Sequence, residues 1–167
     1  MQTQALTLKD KILFERHRLM APHTLAACAF ASLWMWRSCF DIRYAFVHHA
    51  LCLFFQNKAG CFMPLPPLGE RDARVLDACF RHMEAINHNP DISRIENIEE
   101  AEHSFFEESG WRIYEKSKDY LVDRSAIAAL RGDRFKHKRN LYNVFVKRGS
   151  AAFRDYAPSD KKAVLEL

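Results

Sequence analysis

Glycine is scarce in this chain, five in 167 residues, and the five are scattered. No Gly-rich turn therefore stands before a helix to hold a coenzyme A or nucleotide pyrophosphate on backbone N–H groups. Gly132 opens a helix alone, so no acetyl-CoA loop is recognised and no cofactor is expected. A P-loop, an HExxH pair and a Ser/His/Asp order are equally missing. The longest apolar run, Leu25 to Trp36, has twelve residues, with Ser32 inside it and Arg37 at its end. It falls short of the ~20 needed to cross a bilayer, so no transmembrane segment is expected. The N-terminus, MQTQALTLKDK, has no basic-then-apolar signal architecture, which predicts a cytoplasmic chain. Cys28, Cys39, Cys52, Cys61 and Cys79 are odd in number and lack CxxC spacing. They are expected to be reduced and to pack as small hydrophobes. His48, His49 and Cys52 come nearest to a metal set but lack closely paired ligands, so no metal is expected.

What the chain has in quantity is apolar and aromatic side chains, 49% and 13% of its residues, enough for one sizeable core. Its net charge of +4 is unevenly spread: Arg131 to Arg148 carries seven Lys/Arg against one acidic residue, a local +6, which leaves −2 for the rest. The basic character belongs to one segment and points to an anionic partner there.

Periodicity and breakers predict the elements. A helix is expected from Leu8 to Met20, ended by Pro22, and a second, capped by Thr24, from Leu25 to about Phe40. The second is apolar nearly all round and is expected to be buried on most sides. Strands are expected at Ile42–Val47 and Ala50–Gln56 with a turn at His48-His49, then a turn at 57–60 and extended chain from Cys61 to Pro64. The run Pro64 to Gly69 reads as a stiff connection on a rim or near a cleft. An amphipathic helix follows over Glu70 to Asn87, a short strand over Asp91 to Asn97, and an acidic helix over Glu99 to Ser109 closed by Gly110. Trp111 to Asp123 alternates as paired strands, and Ser125 to Leu130 makes a short helical turn. Gly132 and Asp133 open a helix to about Lys147, Ala151 to Tyr156 reads as a strand, and Ser159 caps a helix starting at Asp160. That helix has roughly two turns at ~3.6 residues each before Leu167, so the chain is expected to continue beyond it.

Several segments carry a resemblance. FFEESGWRIYE, Phe105 to Glu115, has the helix–Gly–aromatic–strand form of the late junction in GNAT-type acyltransferases. LTLKDKILFERH (Leu6 to His17), FASLWMWRSCFDI (Phe30 to Ile42), FMPLPPLG (Phe62 to Gly69) and RGDRFKHKRNLYNVFVK (Arg131 to Lys147) lie in order along the chain. Together they resemble the phosphatidylglycerol lysyltransferase C-terminal domain family. The resemblance implies an α/β (α+β) fold: a GNAT-like lobe with a mixed, mostly antiparallel sheet flanked by helices over residues 1–130. Residues 131–167 would then be the basic helix and the start of a truncated second GNAT-like lobe. It also implies an aminoacyl- or acyltransferase-like activity, with aminoacyl-tRNA as a possible co-substrate and a phospholipid or small amine as acceptor. The membrane spans of the lipid-modifying relatives, and most of the second lobe, have no counterpart in this sequence. A non-catalytic binding module of the same fold, holding a phospholipid or RNA, is the alternative.

Candidate site residues lie mainly on the basic helix. At about 100° per residue, Phe135, Tyr142 and Val146 share a stripe with Leu141 and Phe145 beside it, which predicts the core-facing side. Lys136, Arg139, Asn140, Asn143 and Lys147 form another stripe, with cations to attract phosphate and amides to hydrogen-bond it. A transfer-RNA or phospholipid phosphate docking there, and a plain solvated helix face, both fit that pattern. His137 lies on a third face beside Val144 and Arg148, and reads as an ordinary surface or interlobe histidine or as a candidate base. Trp34, Trp36 and Arg37 read as an acyl-chain pocket with a phosphate contact, or as core with Arg37 paired to Asp41. Arg94, Glu96 and Asn97 read as a cleft patch or a structural ion pair. No pattern singles out a catalytic base.

Overall fold

The computed structural model describes residues 1–20, 23–69, 72–149 and 154–166. The chain divides into two compact units, Met1–Asp119 and Tyr120–Leu167.

In the first unit the strands are written by alternation. β2 (Asp41–Val47) and β3 (Ala50–Asn57) pair antiparallel in register from Asp41↔Gln56 to Val47↔Ala50. β1 (Gln4–Ala5) flanks β2 and β4 (Gly60–Phe62) flanks β3, giving a four-stranded antiparallel sheet in the order β1-β2-β3-β4. Leu51, Leu53 and Phe55 of β3 face one layer, with Ile42 and Tyr44 of β2, Phe14, Phe30, Leu33, Leu65 and Leu68. Ala50, Cys52 and Phe54 face the other, with Ala45, Cys61, Met63, Val75, Cys79 and Met83. Both faces of β3 are covered, which is why ALCLFF is apolar throughout. α1 (Lys11–Arg18) and α2 (Phe30–Met35) lie on the first face and α3 (Ala73–Ile86) on the second. The mixed α/β architecture expected from the sequence is the one observed.

The expected turns are present. His48 and His49 both take positive φ, 49° and 77°, as the primed two-residue hairpin turns require. Asp72 caps α3 by accepting a hydrogen bond from the Arg74 N–H at 2.8 Å. α4 (His103–Glu108) leaves through Gly110 at φ 84°, and Trp111 then stacks on Phe80 with ring centroids 3.8 Å apart.

Other expectations are corrected. The stretch Leu25–Phe40 is no single buried helix: a 3-10 turn over Ala26–Cys28, α2 and a 3-10 turn over Trp36–Ser38 replace it. Cys28, Phe30 and Leu33 of this run reach full burial, while Met35 and Trp36 are exposed. Thr24 caps no helix and instead donates its N–H and hydroxyl to Glu99 at 2.7 and 2.9 Å. Pro22 lies outside the described residues. The Pro-rich connection is packed into the core rather than on a rim, and it borders a cleft as expected: Leu65 and Leu68 are buried, Leu68 exchanges backbone hydrogen bonds with Leu51 at 2.8 and 2.9 Å, and Pro66 and Pro67 line a small pocket with Val75 and Leu76. Asp91–Asn97 forms a 3-10 turn over Pro90–Ile92 and one parallel bridge, Met63↔Ile95. Residues 111–123 form no strand. The paired strands expected around a turn at Ser117-Lys118 have no apolar face to bury: Tyr114, Tyr120, Leu121 and Val122 are exposed, while Trp111 stacks on Phe80 and Lys116 pairs with Glu96.

The second unit contains α5 (Arg124–Ala129), α6 (Lys136–Arg148) and α7 (Lys161–Leu165). Asp123 caps α5, and Leu130 ends it in the left-handed conformation at φ 47°. The expected strand Ala151–Tyr156 falls partly outside the described residues, and 154–156 are not in a strand. A 3-10 turn over Pro158–Asp160 leads into α7, and Arg154 pairs with Asp160 at 2.6 Å there.

Candidate functional site

α6 begins where two backbone devices meet. Gly132, at φ 85°, turns the chain from α5 into a 3-10 turn over Asp133–Phe135, and α6 continues from it. Arg139 closes this junction: its Nη1 donates to the Leu130 carbonyl and, at 2.6 Å, to the Gly132 carbonyl. These oxygens follow the end of α5, where carbonyls lack helical partners. A guanidinium near that end satisfies them and favours the helix dipole.

The five residues of the polar stripe therefore divide. Arg139 is half-buried and anchors the junction, with its Nε and Nη2 donors unspent among the described residues. Lys136, Asn140, Asn143 and Lys147 stand exposed, with no ion pair or hydrogen bond among the described residues. The expected core stripe is only partly one. Phe135 is buried, but Leu141, Tyr142, Phe145 and Val146 are all more than half exposed. That ridge stands uncovered among the described residues. His137 is exposed.

Other candidates resolve structurally. Arg37 is exposed, donates to the Trp34 carbonyl at 3.0 Å and lies 5.3 Å over the Trp34 ring, while Asp41 pairs with Arg43. Glu96 takes Arg94 at 2.7 Å and Lys116 at 2.9 Å, with Arg94 also stacked 4.4 Å over Phe62. Burial works to raise the Glu96 pKa, but hydrogen bonds from Lys116 and Arg94 outweigh it and hold the carboxyl below its ordinary range. Asn97, at φ 57°, donates to the Pro64 carbonyl at 2.8 Å. This is a structural ion pair with a backbone tie. His48 and His49 are exposed on their turn, and Cys52 is buried with its thiol toward the Ala50 carbonyl, so the three make no ligand set.

One cluster has no signature in the sequence. His23, Cys28 and Glu99 bring one donor atom each to within 4.8 Å of one another. Glu99 sits far along the chain from the other two and no spacing rule connects them. The only local signal is an acidic residue at the start of a helical segment. Burial first, then the neighbouring Glu99 and Glu102 charges, push the Cys28 thiol up to about 11.

No curated protein and no solved structure matches the chain. The family described as phosphatidylglycerol lysyltransferase, C-terminal, matches residues 21–167, a span that begins after the Leu6–His17 segment and includes α6 whole. Among the described residues no helix is long and apolar enough to cross a membrane. The chain belongs to the phosphatidylglycerol lysyltransferase C-terminal family.

Proposed function

We propose that this domain serves aminoacyl transfer from a charged transfer RNA to a lipid head group or small amine, and that α6 docks the phosphate of donor or acceptor. The reading is supported by family membership and carried by one observation. Lys136, Asn140, Asn143 and Lys147 present two cations and two amides on an exposed helix face. Phosphate binding uses charge for attraction and directed N–H groups for orientation. A GNAT-like acyltransferase lobe and a cytoplasmic location, where charged transfer RNA is found, complete the proposal.

The chemistry is transfer of an ester or its conversion to an amide. A hydroxyl or amine of the acceptor attacks the aminoacyl ester carbonyl. The new C–O or C–N bond forms, the ester C–O bond to the ribose breaks, and the acceptor's proton ends on the ribose hydroxyl. Such a step gains most from orientation and from donors that stabilise the oxyanion. The α6 cations would hold the polyanionic partner in place and lower the cost of developing charge near it.

The test is filter binding of charged and uncharged transfer RNA to the chain at low and moderate salt, followed by an assay of aminoacyl transfer to phosphatidylglycerol vesicles. Salt-sensitive binding that favours the charged form, together with transfer, supports the reading. Binding without transfer favours a non-catalytic module of the same fold. Absence of binding at low salt rules out the RNA donor.

A further inference from the structure

The loop 23–28 and the segment that begins at Glu99 are tied by more than packing. Glu99 accepts hydrogen bonds from the Thr24 N–H at 2.7 Å, the Thr24 hydroxyl at 2.9 Å and the Leu25 N–H at 3.3 Å. Those donors lie at the entry of the 3-10 turn Ala26–Cys28, which is closed by Cys28 N–H to the Leu25 carbonyl at 3.1 Å. One carboxylate is thus fixed to the same few residues that carry an imidazole and a thiol.

The imidazole is the anomaly. The His23 side chain is only 3% exposed, and its Nε2 has no hydrogen-bond partner among the described residues. Its Nδ1 lies 3.7 Å from Glu99 Oε1, too far for a hydrogen bond. A buried ring nitrogen left without a partner costs about 1–3 kcal/mol, and native structures rarely leave one so without reason. Cys28, 2% exposed, completes the set.

From this geometry we infer that His23, Cys28 and Glu99 form a binding site for a transition-metal dication of the zinc class. Imidazole, thiolate and carboxylate are a borderline donor set. Zinc and its neighbours accept all three, whereas magnesium and calcium select oxygen alone. Bonds of about 2.0–2.3 Å around a tetrahedral ion put ligand atoms roughly 3.3–3.8 Å apart, so the present separations need only a small closure. Three protein ligands leave one coordination position for water. The metal would take the His23 ring nitrogen that faces Cys28 and Glu99 and staple the 23–28 loop to the Glu99 segment.

The same residues do not suit a Cys–His nucleophile. A reactive thiol needs an electropositive, accessible setting, and this one is buried beside Glu99 and Glu102.

Cobalt(II) titration of the full chain, after chelator treatment and dialysis, tests the site. One equivalent should produce visible bands of tetrahedral intensity and a near-ultraviolet thiolate-to-cobalt charge-transfer band, both removed by added zinc. Cys28→Ser should lose the charge-transfer band, Cys39→Ser should keep it, and His23→Gln should weaken binding by at least about ten-fold. The wild-type spectrum is decisive even where a variant fails to fold. A wild-type chain without the charge-transfer band, or a folded Cys28→Ser that retains it, overturns the site.

Discussion

The Asn87 carboxamide clasps both backbone groups of Cys61: Oδ1 accepts from the Cys61 N–H at 2.6 Å and Nδ2 donates to the Cys61 carbonyl at 2.8 Å. Nδ2 also reaches Ser93 Oγ at 2.8 Å. One side chain at the end of α3 thus stands in for the strand that β4 lacks, and blocks an edge that would otherwise invite pairing. The clasp demands glycine beside it, since a Cβ on Gly60 would lie 2.5 Å from Asn87 Oδ1, at φ 145°. Asn87→Ala would leave a buried N–H and a buried carbonyl unpaired, a loss of about 2–3 kcal/mol. Urea denaturation should show the midpoint falling. A shift under about 0.5 kcal/mol would mean that water replaces the clasp.

The His48-His49 turn holds two non-glycine residues at positive φ. Each such residue costs roughly 1–2 kcal/mol against the right-handed basin, partly returned by the freedom that glycine gains on unfolding. His49→Gly is therefore expected to stabilise the first unit by about 0.5–1 kcal/mol. Thermal and urea unfolding should both shift upward, with an unchanged denaturant slope. A loss of stability would mean that the His49 ring holds the turn.

Glu96 gives the first unit an acid-sensitive tie. Its folded pKa lies below the ordinary 4.5, so the stabilisation is complete above that value and is lost as pH falls through the folded pKa. Lys116→Met should therefore cost stability near neutrality and progressively less in acid. The measurement is urea denaturation of wild type and variant at about pH 7 and about pH 3. A difference that is the same at both values would show that Lys116 acts through packing and not through the charge on Glu96.

What the sequence revealed and concealed follows from the range of the forces involved. The β2–β3 hairpin was legible because alternation and a two-residue turn are local, and ALCLFF announced a strand covered on both faces. Residues 111–123 alternate and yet form no strand, because a strand also needs a face to bury, and Tyr114, Tyr120, Leu121 and Val122 stay exposed. The 25–40 run misled for a related reason. Apolar composition marks what can be buried, but the sheet has room for Phe30 and Leu33 and leaves Met35 and Trp36 outside. On α6 the wheel expected a core-facing stripe of which only Phe135 is buried, and the engagement of Arg139 by two carbonyls depends on how α5 ends at Leu130. His23, Cys28 and Glu99 meet only through tertiary structure.

Arg139 and its exposed neighbours consequently make separable predictions. Lys136 and Lys147 have no partner to lose among the described residues, so Lys136→Gln and Lys147→Gln should leave unfolding unchanged. If each lysine neutralises one phosphate, the pair should flatten the dependence of log binding constant on log salt by about 1.4–1.8, from ~0.7–0.9 per contact. Arg139→Gln should behave differently. It opens the α5–α6 junction by freeing the Leu130 and Gly132 carbonyls, and the second unit should melt earlier even without any ligand. Conservative Arg139→Lys should restore little, because a single ammonium does not reproduce the planar fork that spans two carbonyls. Salt-dependent filter binding with transfer RNA and with anionic vesicles, run beside circular dichroism melts, reads both effects. Unchanged salt slopes in the double lysine variant would remove α6 as the phosphate-docking face, whatever the arginine does to stability.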